Sequence, residues 1–125
     1  MSTENTHIDF DHLRQYVGDD PAMTAEIFGL FKNQVDLWSP SLVSDLDDDA
    51  WAMMTHSIKG TARAIGAFEL ADLCEQAELL IGEGKRPGAR EVSVEKIDNE
   101  IDKIMIEIQR WEYRQTISKM KSETF

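Results

Sequence analysis

The sequence holds little of what several classes of protein need. Cys74 is its one cysteine, so an internal disulfide framework is excluded and a reducing compartment is favoured. No apolar run approaches the roughly 20 residues that span a bilayer. The N-terminus lacks a basic start followed by an apolar stretch, so no secretory signal is predicted. We therefore expect a soluble protein of the cytoplasm with no membrane association.

Basic residues are also scarce. The 125 residues include 13 Lys and Arg against 24 Asp and Glu, for a formal net charge of -11. A surface this acidic repels phosphate backbones, so nucleic acid is not an expected partner. No glycine-rich phosphate loop, zinc-ligand spacing or Ser/His/Asp set is present, which argues against an autonomous enzyme. The content of 42% hydrophobic and 30% charged residues is that of one globular domain.

Strand patterns are missing too, whereas apolar spacings of three and four recur throughout. They predict a short helix near residues 10–16 and a second helix that starts at Pro21 and is interrupted or bent at "SPSL", with Leu42, Val43 and Leu46 continuing its apolar face. A third helix is predicted from the acidic capping run "DLDDDAW" to Gly66. A fourth starts near Phe68.

The last predicted helix runs from about residue 92 to near 118 and carries a seam of isoleucines spaced by three and four. Together these elements predict an all-α fold, an antiparallel up-and-down four-helix bundle with a short additional N-terminal helix. We expect a flexible N-terminus over 1–7, the bundle domain over 8–118 and a C-terminal tail over 119–125. A monomer is predicted, with dimerisation through the isoleucine seam as the alternative.

The third helix separates into a core face and an outer face. At about 100° per residue, one stripe is predicted to face the core, and its members are Trp51, Met54, Ile58, Thr61 and Ile65. His56 falls on the opposite side, flanked by Lys59 and Arg63. We therefore expect His56 to face solvent within a local basic strip.

These outward residues suggest a chemistry. A neutral imidazole nitrogen is a competent nucleophile, and Lys59 places a positive charge one turn away. Gly60 costs about 1 kcal/mol against alanine in a helix interior, and its benefit is close access for another protein. The set predicts a histidine that accepts a phosphoryl group and passes it to a docked partner. Because an exposed His with a nearby Lys is also common on ordinary helices, spacing alone leaves both interpretations open.

Other polar groups are predicted to be structural. His7 and His12, with Asp9 and Asp11, do not converge on one helical face, so no metal site is expected. Cys74 is expected to be a small buried hydrophobe. Three acidic residues are expected to form a solvated face: Glu75, Glu78 and Glu83.

Residues 56–78, "HSIKGTARAIGAFELADLCEQAE", resemble the signature of histidine-containing phosphotransfer (HPt) domains: His, two residues, Lys-Gly, a small residue, then Gly-Ala, Leu and a late Cys and Glu. The preceding "HIDFDHLRQYVGDDPAM" and "DLDDDAWAMMTHSIKG" resemble the family's approach to this signature, and the resemblance covers roughly residues 8 to 112. His56 matches the phosphorylated residue, and Lys59 and Gly60 match the supporting pair. Thr61 stands where Ser is more usual, and Arg63 occupies a position that varies in the family.

The resemblance implies a phosphohistidine carrier without kinase activity of its own. His56 would accept a phosphoryl group from a receiver-domain aspartate or a hybrid histidine kinase and pass it to a response-regulator aspartate. No cofactor is predicted for this chain, because Mg²⁺ is expected only in the partner's acidic pocket. Met53, Gly60, Arg63 and part of the N-terminal helix are predicted to contact the partner. The alternative is a helical adaptor that binds or inhibits a receiver domain without carrying phosphoryl.

Overall fold

The computed structural model describes residues 6–123, and all the regular secondary structure in them is helical. Its helices are α1 (Phe10–Val17), α2 (Pro21–Ser41), α3 (Asp48–Ala64), α4 (Phe68–Glu78) and α5 (Ala89–Glu123), with one 3₁₀ turn, Gly82–Gly84, before α5. Both α2 and α4 pack against α3 and α5, which closes a four-helix bundle, and α1 precedes it. No strand occurs in residues 6–123, and the predicted all-α bundle is confirmed.

Aspartates begin the first three helices. The carboxylates of Asp9, Asp20 and Asp47 precede α1, α2 and α3, and each accepts a hydrogen bond from a backbone N–H of the first turn. This pairing satisfies donors that have no partner inside the helix. Pro21 is the first residue of α2, where its missing N–H costs little. The predicted capping role of the acidic run before α3 is therefore confirmed.

The connection from α2 to α3 differs in part from the prediction. Pro40 lies in the last turn of α2, and the helix ends at Ser41. Leu42 is buried and Leu46 is half-buried, as expected, but Val43 is exposed and does not continue the apolar face. A helical period no longer applies once the helix has ended, so the side chain of Val43 turns to solvent.

The last helix is longer than predicted. It begins at Ala89 and continues to Glu123, past the expected end near residue 118. The apolar seam fades after Trp111, but good helix formers such as Lys, Met and Gln follow it, and they sustain the backbone ladder without core contacts. Residues 119–123 are thus helical. Residues 1–5 of the predicted flexible N-terminus and 124–125 of the predicted tail lie outside the described residues. Every helix in residues 6–123 is too short or too polar to cross a membrane.

The segment before α1 is bound to the bundle. The backbone N–H groups of His7 and Ile8 donate to the carboxylate of Glu107, and His7 Nδ1 lies 2.7 Å from Glu100 Oε2. The N–H of Asp9 donates to the carbonyl of Gly66 at 2.8 Å. His7, which the prediction includes in a flexible terminus, is therefore held by α5.

Gly66 ends α3 in the manner predicted. Its φ is +79°, a left-handed conformation that favours glycine. The N–H of Ala67 donates to the carbonyl of Ala62 at 2.8 Å, and that of Gly66 to Arg63 at 3.2 Å, the pair of bonds of a Schellman motif. A Cβ on Gly66 would lie 2.7 Å from the carbonyl oxygen of Asp9. The same glycine therefore turns the chain into α4 and admits the N-terminal segment.

The buried stripe of α3 is rotated from its predicted position. Trp51, Ile58 and Ile65 are buried as expected, but Met54 and Thr61 are only half-buried. Thr55 and Ala62 are fully buried in their place. The reason is that α3 packs most extensively against α4, which turns its inner face toward that helix. The Thr55 hydroxyl donates to the Trp51 carbonyl at 2.9 Å, so its polar group is satisfied in the core.

Candidate functional site

His56 lies on the outer face of α3. Its side chain is 76% exposed, so the outward orientation predicted from the helical period is confirmed. Its Nδ1 lies 3.2 Å from Oε2 of Glu78 on α4. An ionised carboxylate only accepts hydrogen bonds, so Nδ1 carries the proton of the neutral ring and the lone pair is on Nε2. Nε2 makes no hydrogen bond within residues 6–123 and is open to a reacting group.

Glu78 also binds Lys59. The ammonium Nζ donates to the second oxygen of this carboxylate, Oε1, at 2.8 Å. The side chain of Lys59 is only 13% exposed and that of Glu78 22% exposed, so this ion pair is largely withdrawn from water, unlike the ring of His56. One carboxylate therefore joins the histidine and the lysine.

The electrostatics of the site keep Glu78 ionised. Burial acts to raise its pKa, but the hydrogen bonds from Lys59 and His56 outweigh burial, so the pKa of Glu78 lies below its ordinary value of 4.5. The carboxylate is therefore negative at neutral pH. The prediction that Glu78 belongs to a solvated acidic face is wrong, because the last residue of α4 lies against the middle of α3.

A buried hydrogen bond fixes the end of α4 beside α3. The indole N–H of Trp51 donates to the carbonyl of Ala77 at 2.7 Å, and both residues are fully buried. Ala77 directly precedes Glu78, and Trp51 lies on the same helix as His56. This buried hydrogen bond thereby fixes the position of Glu78 along α3, so that its carboxylate lies beside the imidazole of His56.

Arg90 supports the same region from α5. Its guanidinium is buried and lies 4.5 Å from the centre of the Trp51 ring. Nε donates to the carbonyl of Leu80 at 2.9 Å, just after α4. Further bonds reach the carbonyl of Leu46 at 2.6 Å and the carboxylate of Asp48 at 2.8 Å. Arg90 thus ties the end of α4, the α2–α3 connection and the start of α3 to α5.

The expected basic strip is not a net positive surface. Arg63 forms an ion pair with Glu75 at 2.9 Å, and both side chains are more than half exposed. Lys59 is paired with Glu78, as described above. Each cation that α3 presents beside His56 is therefore matched by an acid of α4. The sequence suggested a positive strip because helical spacing shows only the residues of one helix.

Gly60 leaves the backbone of α3 uncovered beside His56. It is exposed, and a Cβ placed on it would meet no atom within 4 Å in the described part of the chain. Packing among residues 6–123 therefore does not require glycine at this position. The half-buried Thr61 follows it on the side toward the core.

Two large apolar side chains flank the site. Met53 is 72% exposed on α3, and Leu79 is 70% exposed immediately after Glu78. Exposed apolar area beside the histidine is available for contact with a partner protein. Met53 was predicted from the sequence to contact a partner beside His56. Leu79 was not, because its neighbours in sequence suggest only the end of a helix.

The two remaining histidines are engaged elsewhere. The ring of His12 packs edge-on against Phe68 at 5.0 Å and against Tyr16 at 5.1 Å, while His7 pairs with Glu100. Within residues 6–123 no three His, Cys, Asp or Glu side chains are grouped closely enough to hold a metal ion. Cys74 is buried, as predicted.

The comparison with protein families bears on this arrangement. The family model described as Hpt domain matches residues 29–111, which include the whole of α3 and α4. The chain belongs to the Hpt domain family. The resemblance drawn from "HSIKGTARAIGAFELADLCEQAE" is thereby confirmed. The protein is a phosphorelay component that carries a phosphoryl group on a histidine.

The fold of this Hpt domain is also similar to a solved structure. The crystal structure of the histidine phosphotransferase ShpA from Caulobacter crescentus matches with a TM-score of 0.73 and 28% sequence identity. The match covers 91% of this chain and 98% of that chain. No curated protein matches the chain in sequence.

Sequence reasoning missed three residues of the Hpt site. Glu78 is the last residue of α4, Leu79 follows it directly, and Arg90 stands in the first turn of α5. The late Glu in the matched signature is Glu78, and it was the available signal for the first of them. For Arg90 the signal was weak, since an arginine after a glycine-rich loop is usually exposed.

Proposed function

We propose that His56 is the phosphorylated residue of this Hpt domain. It accepts the phosphoryl group from the aspartate of a receiver domain, or from a hybrid histidine kinase, and passes it to the aspartate of a response regulator. The observation that carries the proposal is an exposed imidazole whose Nδ1 is bonded to Glu78, so that Nε2 is the nitrogen directed to a partner. The chain acts as a carrier and has no kinase activity of its own.

The chemical step is an in-line exchange between two nucleophiles. The lone pair of Nε2 attacks the phosphorus of an aspartyl phosphate, the bond between phosphorus and the carboxylate oxygen breaks, and the aspartate leaves with that electron pair. Onward transfer reverses the order. Catalysis of such a step depends on alignment and on charge stabilisation of the phosphoryl group.

Lys59 supplies charge for the phosphoryl oxygens. Its ammonium has three N–H donors, and the bond to Glu78 uses one of them. The donors that remain lie one helical turn from the imidazole and are suited to contact an anion carried on Nε2. A magnesium ion, which phosphoryl transfer also uses, is expected in the acidic pocket of the receiver and not in this chain.

The docking surface surrounds the imidazole. Met53 and Leu79 supply apolar area, and the bare backbone at Gly60 allows a partner to approach closely. Arg63 is predicted to contact the partner at the rim, where its pairing with Glu75 would be exchanged or shared. The exposed part of α1 is predicted to contribute beside this surface.

The test is a phosphoryl-transfer profile of wild type and His56→Gln against the receiver domains of the source organism. Wild type should acquire a phosphate that is labile in acid and stable in base, and His56→Gln should acquire none while keeping its helical circular dichroism. His12→Gln is the matched control, because it makes the same substitution at the half-buried histidine of α1, and it should be labelled like wild type. Labelling of His56→Gln would refute the assignment.

The same profile separates the carrier from the adaptor interpretation. An adaptor would bind a receiver domain but acquire no phosphate from it in its phosphorylated form. Binding without labelling across the whole set of receivers would therefore favour the adaptor and contradict the carrier.

A further inference from the structure

Within residues 6–123 the Glu78 carboxylate is the one acidic group that contacts the ring of His56, and it does so at Nδ1, the nitrogen not used for transfer. We infer that Glu78 keeps the proton on Nδ1 of phosphorylated His56, so that onward transfer expels a neutral imidazole. The inference rests on the proposed function of His56 and adds a positioning residue that controls the proton of its leaving group.

The reason lies in the leaving group of the onward step. When the receiver aspartate attacks the phosphorus, the bond between phosphorus and Nε2 breaks and the electron pair stays on Nε2. If Nδ1 carries a proton, the product is a neutral imidazole. If Nδ1 has lost it, the product is an imidazolate anion, a far stronger base and a far poorer leaving group. The reactive state of the donor therefore requires the proton on Nδ1.

Phosphorylation of Nε2 makes the proton on Nδ1 easier to lose, unless a neighbouring anion stabilises it. The lone pair of Nε2 is used in the bond to phosphorus, so the ring with a proton on Nδ1 is formally cationic. An anion within hydrogen-bond distance stabilises that form. The negative Glu78 stands at 3.2 Å from Nδ1, where it holds the proton to higher pH.

The other charges near the ring do not replace this carboxylate. Lys59 is bonded to Glu78, and as a cation it disfavours a positively charged ring. Glu75 is paired with Arg63, which lies one helical turn beyond Lys59 on α3, and both side chains of this pair are exposed. The thiol of Cys74 on α4 is buried and stays uncharged at neutral pH, because burial raises its pKa. In the described part of the chain, Glu78 alone combines contact with the ring and a negative charge.

The variant Glu78→Gln separates charge from shape. Its amide oxygen still accepts a hydrogen bond from Nδ1, but the negative charge is gone. Glu75→Gln removes an acid from the same face of α4 and is the matched control. Glu78→Asp keeps the charge on a shorter side chain and tests for rescue.

A partner-free titration reads the proton directly. The full chain is phosphorylated with phosphoramidate, a small phosphoryl donor, and the phosphohistidine resonance is followed by ³¹P NMR between about pH 5 and 9. The midpoint should fall by about one pH unit in Glu78→Gln, since an adjacent opposite charge is worth about that much at a partly exposed site. Glu75→Gln should match wild type, and Glu78→Asp should lie nearer to wild type than Glu78→Gln.

The transfer rate should follow the same midpoint. The transfer rate to a receiver domain that wild type phosphorylates should decrease as pH rises, and in Glu78→Gln this decrease should occur at lower pH. Near pH 8 the variant should therefore transfer about tenfold more slowly than wild type. An unchanged NMR midpoint, or an equal loss of rate at every pH, would overturn the inference and leave Glu78 as an orienting group. Failure of wild type to acquire phosphate from phosphoramidate or from any receiver would instead refute the assignment of His56.

Discussion

The indole nitrogen of Trp51 and the carbonyl oxygen of Ala77 are joined by a hydrogen bond of 2.7 Å inside the interface of α3 and α4. The bond is buried, whereas the site that it supports is open to solvent. It links the helix of His56 to the residue before Glu78, so the register of the reacting ring and its carboxylate depends on the core. A rigid support of this kind suits a reaction that depends on alignment.

Substitution of Trp51 by phenylalanine should destabilise the bundle. The ring keeps much of its apolar area, but the Ala77 carbonyl loses its donor in a buried position, which costs about 1–3 kcal/mol. Urea denaturation followed by circular dichroism measures the change. The comparison variant is Trp111→Phe, because Trp111 is half-buried and its indole makes no hydrogen bond within residues 6–123. Equal losses in the two variants would show that the bond to Ala77 contributes nothing.

Substitution of Gly60 by alanine should stabilise the protein and slow its reaction. Gly60 lies inside α3 with open space around it, so alanine should add up to about 1 kcal/mol to the free energy of unfolding. The added methyl stands where a receiver would approach, and we expect transfer to slow about tenfold through misalignment. Urea denaturation and the transfer rate together check this prediction. A stabilised variant with an unchanged rate would remove Gly60 from the docking surface.

Gly66→Ala is the contrasting variant for Gly60→Ala. At Gly66 the backbone is left-handed and the new Cβ would lie 2.7 Å from the Asp9 carbonyl oxygen. The left-handed conformation alone costs a side chain about 1–2 kcal/mol, so the free energy of unfolding should fall by at least about that amount. The same chemical change is thus expected to have opposite effects on stability inside α3 and just after its end.

Cys74 should be unreactive in the folded protein. Burial, with a smaller contribution from the charge of Glu78, raises the pKa of Cys74 from 9.0 to about 12. Because the folded pKa lies above the unfolded one, the thiol contributes stability that is fully present below pH 9.0 and is lost as pH rises toward about 12. Iodoacetamide at pH 8 should alkylate the native protein at least about 100-fold more slowly than the protein in urea.

The pH dependence of Cys74 has its own control. Wild type should lose stability relative to Cys74→Ala as pH is raised above 9.0, since alanine does not titrate. A constant difference between the two proteins from pH 8 to 10, or rapid alkylation of the native state, would contradict a buried neutral thiol.

The sequence alone determined the helices, most of their ends and the outward side of α3. Asp47 at the start of that helix and Gly66 after its end act on backbone groups a few residues away, so their roles can be read locally. The orientation of His56 follows from the helical period in the same way. These features need no knowledge of how the helices pack.

Only the tertiary structure decided what touches the imidazole. Glu78 reaches His56 and Lys59 across the interface of two helices, and Arg90 reaches three segments from the start of α5. The burial of Thr55 and Ala62 in place of Met54 and Thr61 has the same origin. Such contacts depend on the rotation and register of packed helices, which the whole core sets at once, and no local spacing along one helix records them.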